Sequence, residues 1–106
     1  MRPRPGEVWL ADLGIAAKVR PVVIVSRHDD DPPRALVIYV PLTTQPRGSD
    51  YEVEVPKLPF LKAEGAANVQ GIGSIAIPRL ERRLGVVPKH LLEQIKNAIK
   101  FAVDLQ

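Results

Sequence analysis

The chain has 106 residues, 45% of them hydrophobic and 25% charged, values that suit one small globular domain over residues 1–106 with a single modest core. It has no cysteine, which excludes disulfides and cysteine-ligated metal sites. No apolar run approaches a membrane span and the first residues lack a signal-peptide core, so a soluble, unsecreted, cytoplasmic protein is expected; the net charge of +3 favours a polyanionic partner, because Lys and Arg gain by releasing counterions from phosphates.

Residues 1–5 hold two arginines and two prolines and read as a loose arm. Residues 7–13 form a first strand that ends at Gly14, and 14–19 connect it to the next. Arg20 precedes Pro21, which pushes it to an extended conformation. Residues 22–25 and 35–40 are apolar on both faces, the mark of central strands. His28-Asp29-Asp30-Asp31-Pro32-Pro33 makes the turn between them. Pro41 cannot donate to a ladder, so the second central strand is expected to end or bulge there.

Residues 51–55 alternate strictly and predict a half-exposed strand. A longer loop follows over 56–65, around Leu58, Phe60 and Leu61. Residues 68–77 are β-like, with glycines that suggest a bulge, and a short turn is expected over 79–83. Pro88 suits the first turn of a helix. Leu91, Leu92, Ile95, Ile99, Ala102 and Val103 then recur at helical spacing on one face. The pattern is mainly β with a C-terminal helix, a small, partly closed barrel of antiparallel strands capped by that helix.

Two of these segments end in polar groups suited to one task. Lys18-Val19-Arg20-Pro21-Val22-Val23-Ile24-Val25-Ser26 places an arginine at the entrance of a strand. Val37-Ile38-Tyr39-Val40-Pro41-Leu42-Thr43-Thr44-Gln45 places two threonines at the exit of another. A guanidinium offers a planar fork to phosphate oxygens and stabilises charge building on phosphorus. A hydroxyl at the same rim can donate to a phosphate oxygen or orient an attacking group. Read alone, Arg20 is better explained as a surface arginine at a strand start paired with an acid, and Thr43 as a β-branched residue stabilising a strand end.

With Pro5-Gly6-Glu7-Val8-Trp9-Leu10-Ala11-Asp12-Leu13 before them, these segments resemble the MazF/PemK family of toxin–antitoxin ribonucleases. That family reads glycine, acidic, hydrophobic near its start, then Arg-Pro-Val, then Leu-Thr-Thr-Gln, in this order and spacing. The resemblance implies an SH3-like barrel, as in MazF-like and CcdB-like toxins, and a homodimer. It implies a sequence-selective endoribonuclease that cuts single-stranded RNA without metal or other cofactor. The products would be a 2′,3′-cyclic phosphate and a 5′-hydroxyl, and a cognate antitoxin would neutralise the activity. Arg20 and Thr43 fall on the family's catalytic positions. Thr44 is the alternative if a bulge at Pro41 shifts the alternation.

Lys18, Arg27, Thr44, Gln45 and Arg47 flank the site in sequence and are candidate RNA contacts, as is Gln70. Each basic residue is equally an ordinary surface charge. Arg79, Arg82 and Arg83 form a second basic cluster around Glu81, suited to RNA, to a dimer contact or to a solvated turn. His28 and His90 match no catalytic position of the family and read as solvated. Consecutive carboxylates cannot aim at one ion, so Asp29-Asp30-Asp31 reads as a turn. Trp9 and Tyr39 are assigned to the core.

The chain departs from the family twice. The segment Gly14-Ile15-Ala16-Ala17-Lys18-Val19 is short and lacks the Gly-Ser-Glu-Gln type of sequence common there. Val69-Gln70-Gly71-Ile72-Gly73-Ser74 replaces a Gln-Ile-Arg-Thr and carries no arginine. Base specificity therefore does not carry over. The rival reading is a non-catalytic, CcdB-like toxin that acts on a topoisomerase by protein contact, leaving Arg20 and Thr43 structural. Incubation with single-stranded RNA in chelator separates the two.

Overall fold

Val22 and Val23 are neighbours in sequence and both are fully buried, which requires packed side chains on the two faces of one strand. The computed structural model, which describes residues 2–14 and 19–105, supplies both. It contains strands β1 (Glu7–Asp12), β2 (Val19–Ile24), β3 (Leu36–Thr43), β4 (Glu52–Val55), β5 (Gly65–Asn68), β6 (Gly73–Ala76) and β7 (Leu80–Val86), then helix α1 (Lys89–Ala102). Short 3-10 turns at Val69–Gly71 and Ile77–Arg79 flank β6. The strands form one antiparallel sheet in the order β4-β5-β3-β2-β1-β7, with β6 also on β3.

One face of the sheet carries Trp9, Ala11, Val22, Ile24, Val37, Ile75 and Leu80. The other carries Val8, Val23, Val40, Leu42, Val55 and Ala67, and packs under Leu91, Ile95 and Ala98 of α1. Each fully buried valine or isoleucine here contributes about 1.5–3 kcal/mol relative to exposure. Trp9 is buried and donates its indole N–H to Glu7 Oε1 at 3.0 Å. Tyr39 packs against the first core. No helix among the described residues is long and apolar enough to cross a membrane.

Several expectations are corrected. Residues 2–5 are not loose: Pro3 is buried, and the Glu7 N–H donates to the Arg4 carbonyl at 3.1 Å. β3 runs through Pro41 to Thr43 instead of stopping. On one side of β3, β6 ends its pairing at Tyr39 and β5 begins at Leu42. The proline falls in that gap, where a missing N–H costs the ladder least. The expected turn over 79–83 is mostly β7, whose pairing with β1 slips twice. Those bulges break the period-2 pattern that marks a strand. Val103 lies past the helix and is 53% exposed, while Ala98 takes the buried place. Leu58, Phe60 and Leu61, in the expected loop, are half-buried, because the 56–64 segment folds back onto the core beside Leu84.

Candidate active site

β2 and β3 pair only over Val22–Ile24 and Tyr39–Pro41. Beyond Val22↔Pro41 they part. The start of β2 stays on β1, with Arg20 opposite Ala11, while the end of β3 joins β5, with Thr43 opposite Ala66. The sheet forks, and a cleft of about 370 Å³ lies in the fork. Its apolar lining includes Leu10, Leu42, Val55, Phe60, Leu61 and Leu84, and Arg20, Thr43, Thr44, Lys62, Glu64 and Arg82 bring the polar groups.

The fork is the reason residues 23 positions apart in sequence share one site. Arg20 is exposed and is the second residue of β2. Thr43 is the last residue of β3, and its Oγ1 accepts the Gln45 N–H at 3.1 Å. That bond occupies an acceptor site and leaves the hydroxyl proton free to donate outward. Thr44 follows the strand and lines the same cleft, so alternation does not separate the two threonines. Gly65 fixes the wall beyond them: a Cβ built there would collide with the Thr43 carbonyl oxygen.

The other expected contacts are scattered. Gln45 contributes its backbone to Thr43 but does not line the cleft. Arg47 is exposed, and its N–H donates to both Glu52 carboxylate oxygens, at 2.9 and 3.1 Å. The N–H groups of Ser49, Arg47 and Gly48 hold the Glu52 carboxyl below its ordinary value of 4.5. Arg27 lies past the far end of β2, in a smaller depression with Arg2, Ser26 and Asp29. Gln70 is exposed on the 3-10 turn after β5. Lys18 lies outside the described residues.

The basic cluster of residues 79–83 is split three ways. Arg79 reaches Asp12 at 3.5 Å, and Arg83 Nε reaches Glu7 Oε2 at 3.2 Å. Arg82, the residue before it in β7 and the partner of Leu10, lines the cleft. Burial pushes the Glu7 carboxyl up, but the Arg4 N–H, the Trp9 indole and Arg83 outweigh it and hold the carboxyl below 4.5. His28 is half-buried against Asp30 at 2.9 Å, and His90 is exposed. Asp29 caps its own turn by accepting the Asp31 N–H at 2.9 Å, and no cluster of three potential metal ligands forms among the described residues.

The ion pairs found among the described residues are those of Arg79, Arg83 and His28. Arg20, Lys62 and Arg82 take part in none of them. The cleft therefore combines three cations that join no ion pair among the described residues, a hydroxyl proton able to donate outward and an apolar floor. Lys62 and Glu64 were missed by sequence reasoning, and Arg82 was offered only within a basic cluster suited equally to RNA, a dimer contact or a solvated turn. The only signal for them lies in strand pairing, which a single sequence does not display.

The sequence matches the family described as PemK-like, MazF-like toxin of type II toxin–antitoxin system over residues 4–103. It is 31% identical over 103 residues to a Mycobacterium tuberculosis protein named probable endoribonuclease MazF5, covering 96% of this chain and 94% of that protein. Among solved structures it resembles the Mycobacterium tuberculosis toxin MazF-mt6, with TM-score 0.83 and 28% identity over 94% of this chain and 98% of the other. It is equally similar, at TM-score 0.83 and 29% identity over 98% and 97% of the two chains, to a mycobacterial endoribonuclease in complex with its cognate antitoxin.

Proposed function

The chain belongs to the PemK-like, MazF-like toxin family of type II toxin–antitoxin systems, and from that premise we propose that it is an endoribonuclease whose site is the cleft between β2 and β3. The observation that carries this reading is the convergence of Arg20 and Thr43 from two diverging strands onto one cleft with two further unpaired cations. Nothing in the fork favours the topoisomerase-directed reading.

The substrate is single-stranded RNA, whose unstacked bases are open to contact. The 2′-hydroxyl oxygen attacks the adjacent phosphorus and loses its proton as the new P–O bond forms. The bond from phosphorus to the 5′-oxygen breaks, and that oxygen leaves protonated. The products are a 2′,3′-cyclic phosphate and a 5′-hydroxyl, and no metal takes part. Arg20 binds the phosphate and stabilises the charge that builds on its equatorial oxygens. The Thr43 hydroxyl, turned by the Gln45 N–H, donates to a phosphate oxygen. Lys62 and Arg82 hold the flanking backbone electrostatically.

Incubation with a long single-stranded RNA in excess chelator tests this. Cleavage with cyclic-phosphate ends that disappears in Arg20→Ala is the expected result. Strict dependence on magnesium or manganese would overturn the chemistry, and intact RNA would overturn the assignment.

The protein acts in the cytoplasm as a homodimer, bound by an antitoxin until released. Exposed Leu36 and Ile38 on β3, and Phe101, Val103 and Leu105 at the chain's end, supply the apolar surface for assembly. An acidic antitoxin segment would place carboxylates where phosphates lie and compete with RNA in the fork. Sedimentation tests the first proposal. Competition binding at two salt concentrations tests the second.

A further inference from the structure

A carboxylate inside a phosphate-binding cleft needs a reason, because it repels the backbone the cations attract. Glu64 is such a group. It is exposed, lines the fork together with Arg20, Lys62 and Arg82, and is in none of the ion pairs found among the described residues. An ionised carboxylate only accepts hydrogen bonds. Phosphate oxygens also only accept, so Glu64 has nothing to gain from the backbone. Its natural partners on RNA are the amino groups of the bases.

Glu64 is also fixed relative to the chemistry. The next residue, Gly65, is pressed so closely against the Thr43 carbonyl that it has no room for a side chain. Ala66 then pairs with Thr43 across the β3–β5 ladder. Glu64 therefore directly precedes in the chain the closest approach to the strand that carries Thr43, which fixes its backbone. Around it, Leu42, Val55, Phe60, Leu61 and Leu84 form an apolar floor that can receive the face of a base. The cleft volume of about 370 Å³ is at the low end of the roughly 300–1,000 Å³ usual for ligand sites. It suits one nucleotide better than several.

We propose that Glu64 reads the base beside the scissile phosphate and selects one that carries an exocyclic amino group, discriminating against uracil. The assignment rests on the ribonuclease reading of the same cleft. Cytosine and adenine present one amino group on the Watson–Crick edge, and guanine presents an amino group next to a ring N–H. Uracil presents its ring N–H between two carbonyl oxygens, which face a carboxylate with like polarity.

The test uses matched single-stranded RNA oligonucleotides that differ only in the bases flanking one cleavage site, with wild type, Glu64→Ala and Glu64→Gln. Wild type should cut the amino-bearing substrates about tenfold or more faster than the uracil substrate at one flanking position. Glu64→Ala should bring that ratio to within about twofold and leave preferences at other positions unchanged. Glu64→Gln, which can both donate and accept, should raise cutting at uracil. Replacing guanine by inosine, which lacks the amino group, should slow wild type but not Glu64→Ala. An unchanged base preference in Glu64→Ala overturns the assignment. So does an equal loss of cutting on every sequence in both variants with an unaltered melting temperature, which would make Glu64 part of the proton path. Wild type that cuts none of the RNAs overturns the ribonuclease reading itself, an outcome distinct from wild-type cutting with unaltered preference.

Discussion

Arg82 and Arg83 are adjacent, and the chain uses them in opposite ways. Arg83 is bonded to Glu7, which also holds the Arg4 N–H and the Trp9 indole, each at 3.0 Å. Arg82 faces the fork beside Arg20 and Lys62 and joins no ion pair found among the described residues. The β1–β7 edge spends its charge within the protein, fixing the entry to β1. The fork leaves its cations without an ion pair among the described residues, which suits the external anion proposed for it. Charge count alone says nothing about this division; partner geometry decides it.

The largest effect should come from breaking the fork. Arg20→Ala and Thr43→Ala should each lower RNA cleavage on the order of a hundredfold or more, with the melting temperature unchanged, as measured by single-turnover kinetics and circular dichroism. Arg83→Ala should do the reverse, leaving the cleavage rate unchanged and lowering the melting temperature. If Arg83→Ala loses cleavage as fully as Arg20→Ala, the division between the two regions is wrong.

Gly65→Ala should follow. The added methyl must displace β5 or the Thr43 carbonyl, costing about 1–3 kcal/mol of stability and about tenfold or more in rate, because small misplacements of reacting groups are costly. Gly48→Ala is the control. It has open space around it and a φ of +69°, so it should lose about 1 kcal/mol from strain with normal cleavage. Denaturant titration beside kinetics separates the two variants.

The Glu7 edge can be tested by pH. Its carboxyl is held below 4.5 in the folded state, so the unfolded chain binds more protons in the window just below that value. The stabilisation is complete above about pH 4.5 and is lost as pH falls through the lowered folded value. Glu7→Gln should lower stability by about 1–2 kcal/mol at neutral pH. The gap to wild type should shrink as pH drops through that window. A gap that stays constant would show that Glu7 gains nothing from being charged.

The smallest effect is one of slope. Lys62→Ala and Arg82→Ala should each reduce the dependence of RNA affinity on salt by about 0.7 in the logarithmic slope, the value of one phosphate contact on a single strand. Arg47→Ala and Arg83→Ala should leave it unchanged. Binding titrations at four salt concentrations measure this, with a cleavage-silent Arg20→Ala background to keep the RNA intact.

Much of this was legible in the sequence where side-chain pattern decides structure. Continuous apolar runs marked β2 and β3 as central strands, and helical spacing marked α1. Arg20 and Thr43, which the structure brings to one cleft, were singled out as candidates through their flanking motifs. β5 was not, because Gly65-Ala66-Ala67-Asn68 has small side chains and no strand signature. β7 was hidden by its two bulges. Arg27 was grouped with Arg20 because it is near in sequence, yet seven residues of nearly extended chain span about 20 Å. Lys62, Glu64 and Arg82 join the site only because strands distant in sequence pair as they do.

The parting of β2 from β3 has an evolutionary consequence. The two prongs are tied together by three residue pairs and otherwise answer to different neighbours. The 56–64 segment hangs from the β3 prong and supplies Phe60, Lys62 and Glu64, while Arg20 is carried by the other prong. On the roles proposed above, a lineage can therefore rewrite residues 60–64 and meet a new RNA sequence without disturbing the arginine assigned to cutting. Divergence in target and constancy in chemistry become separable traits, each inherited on its own strand.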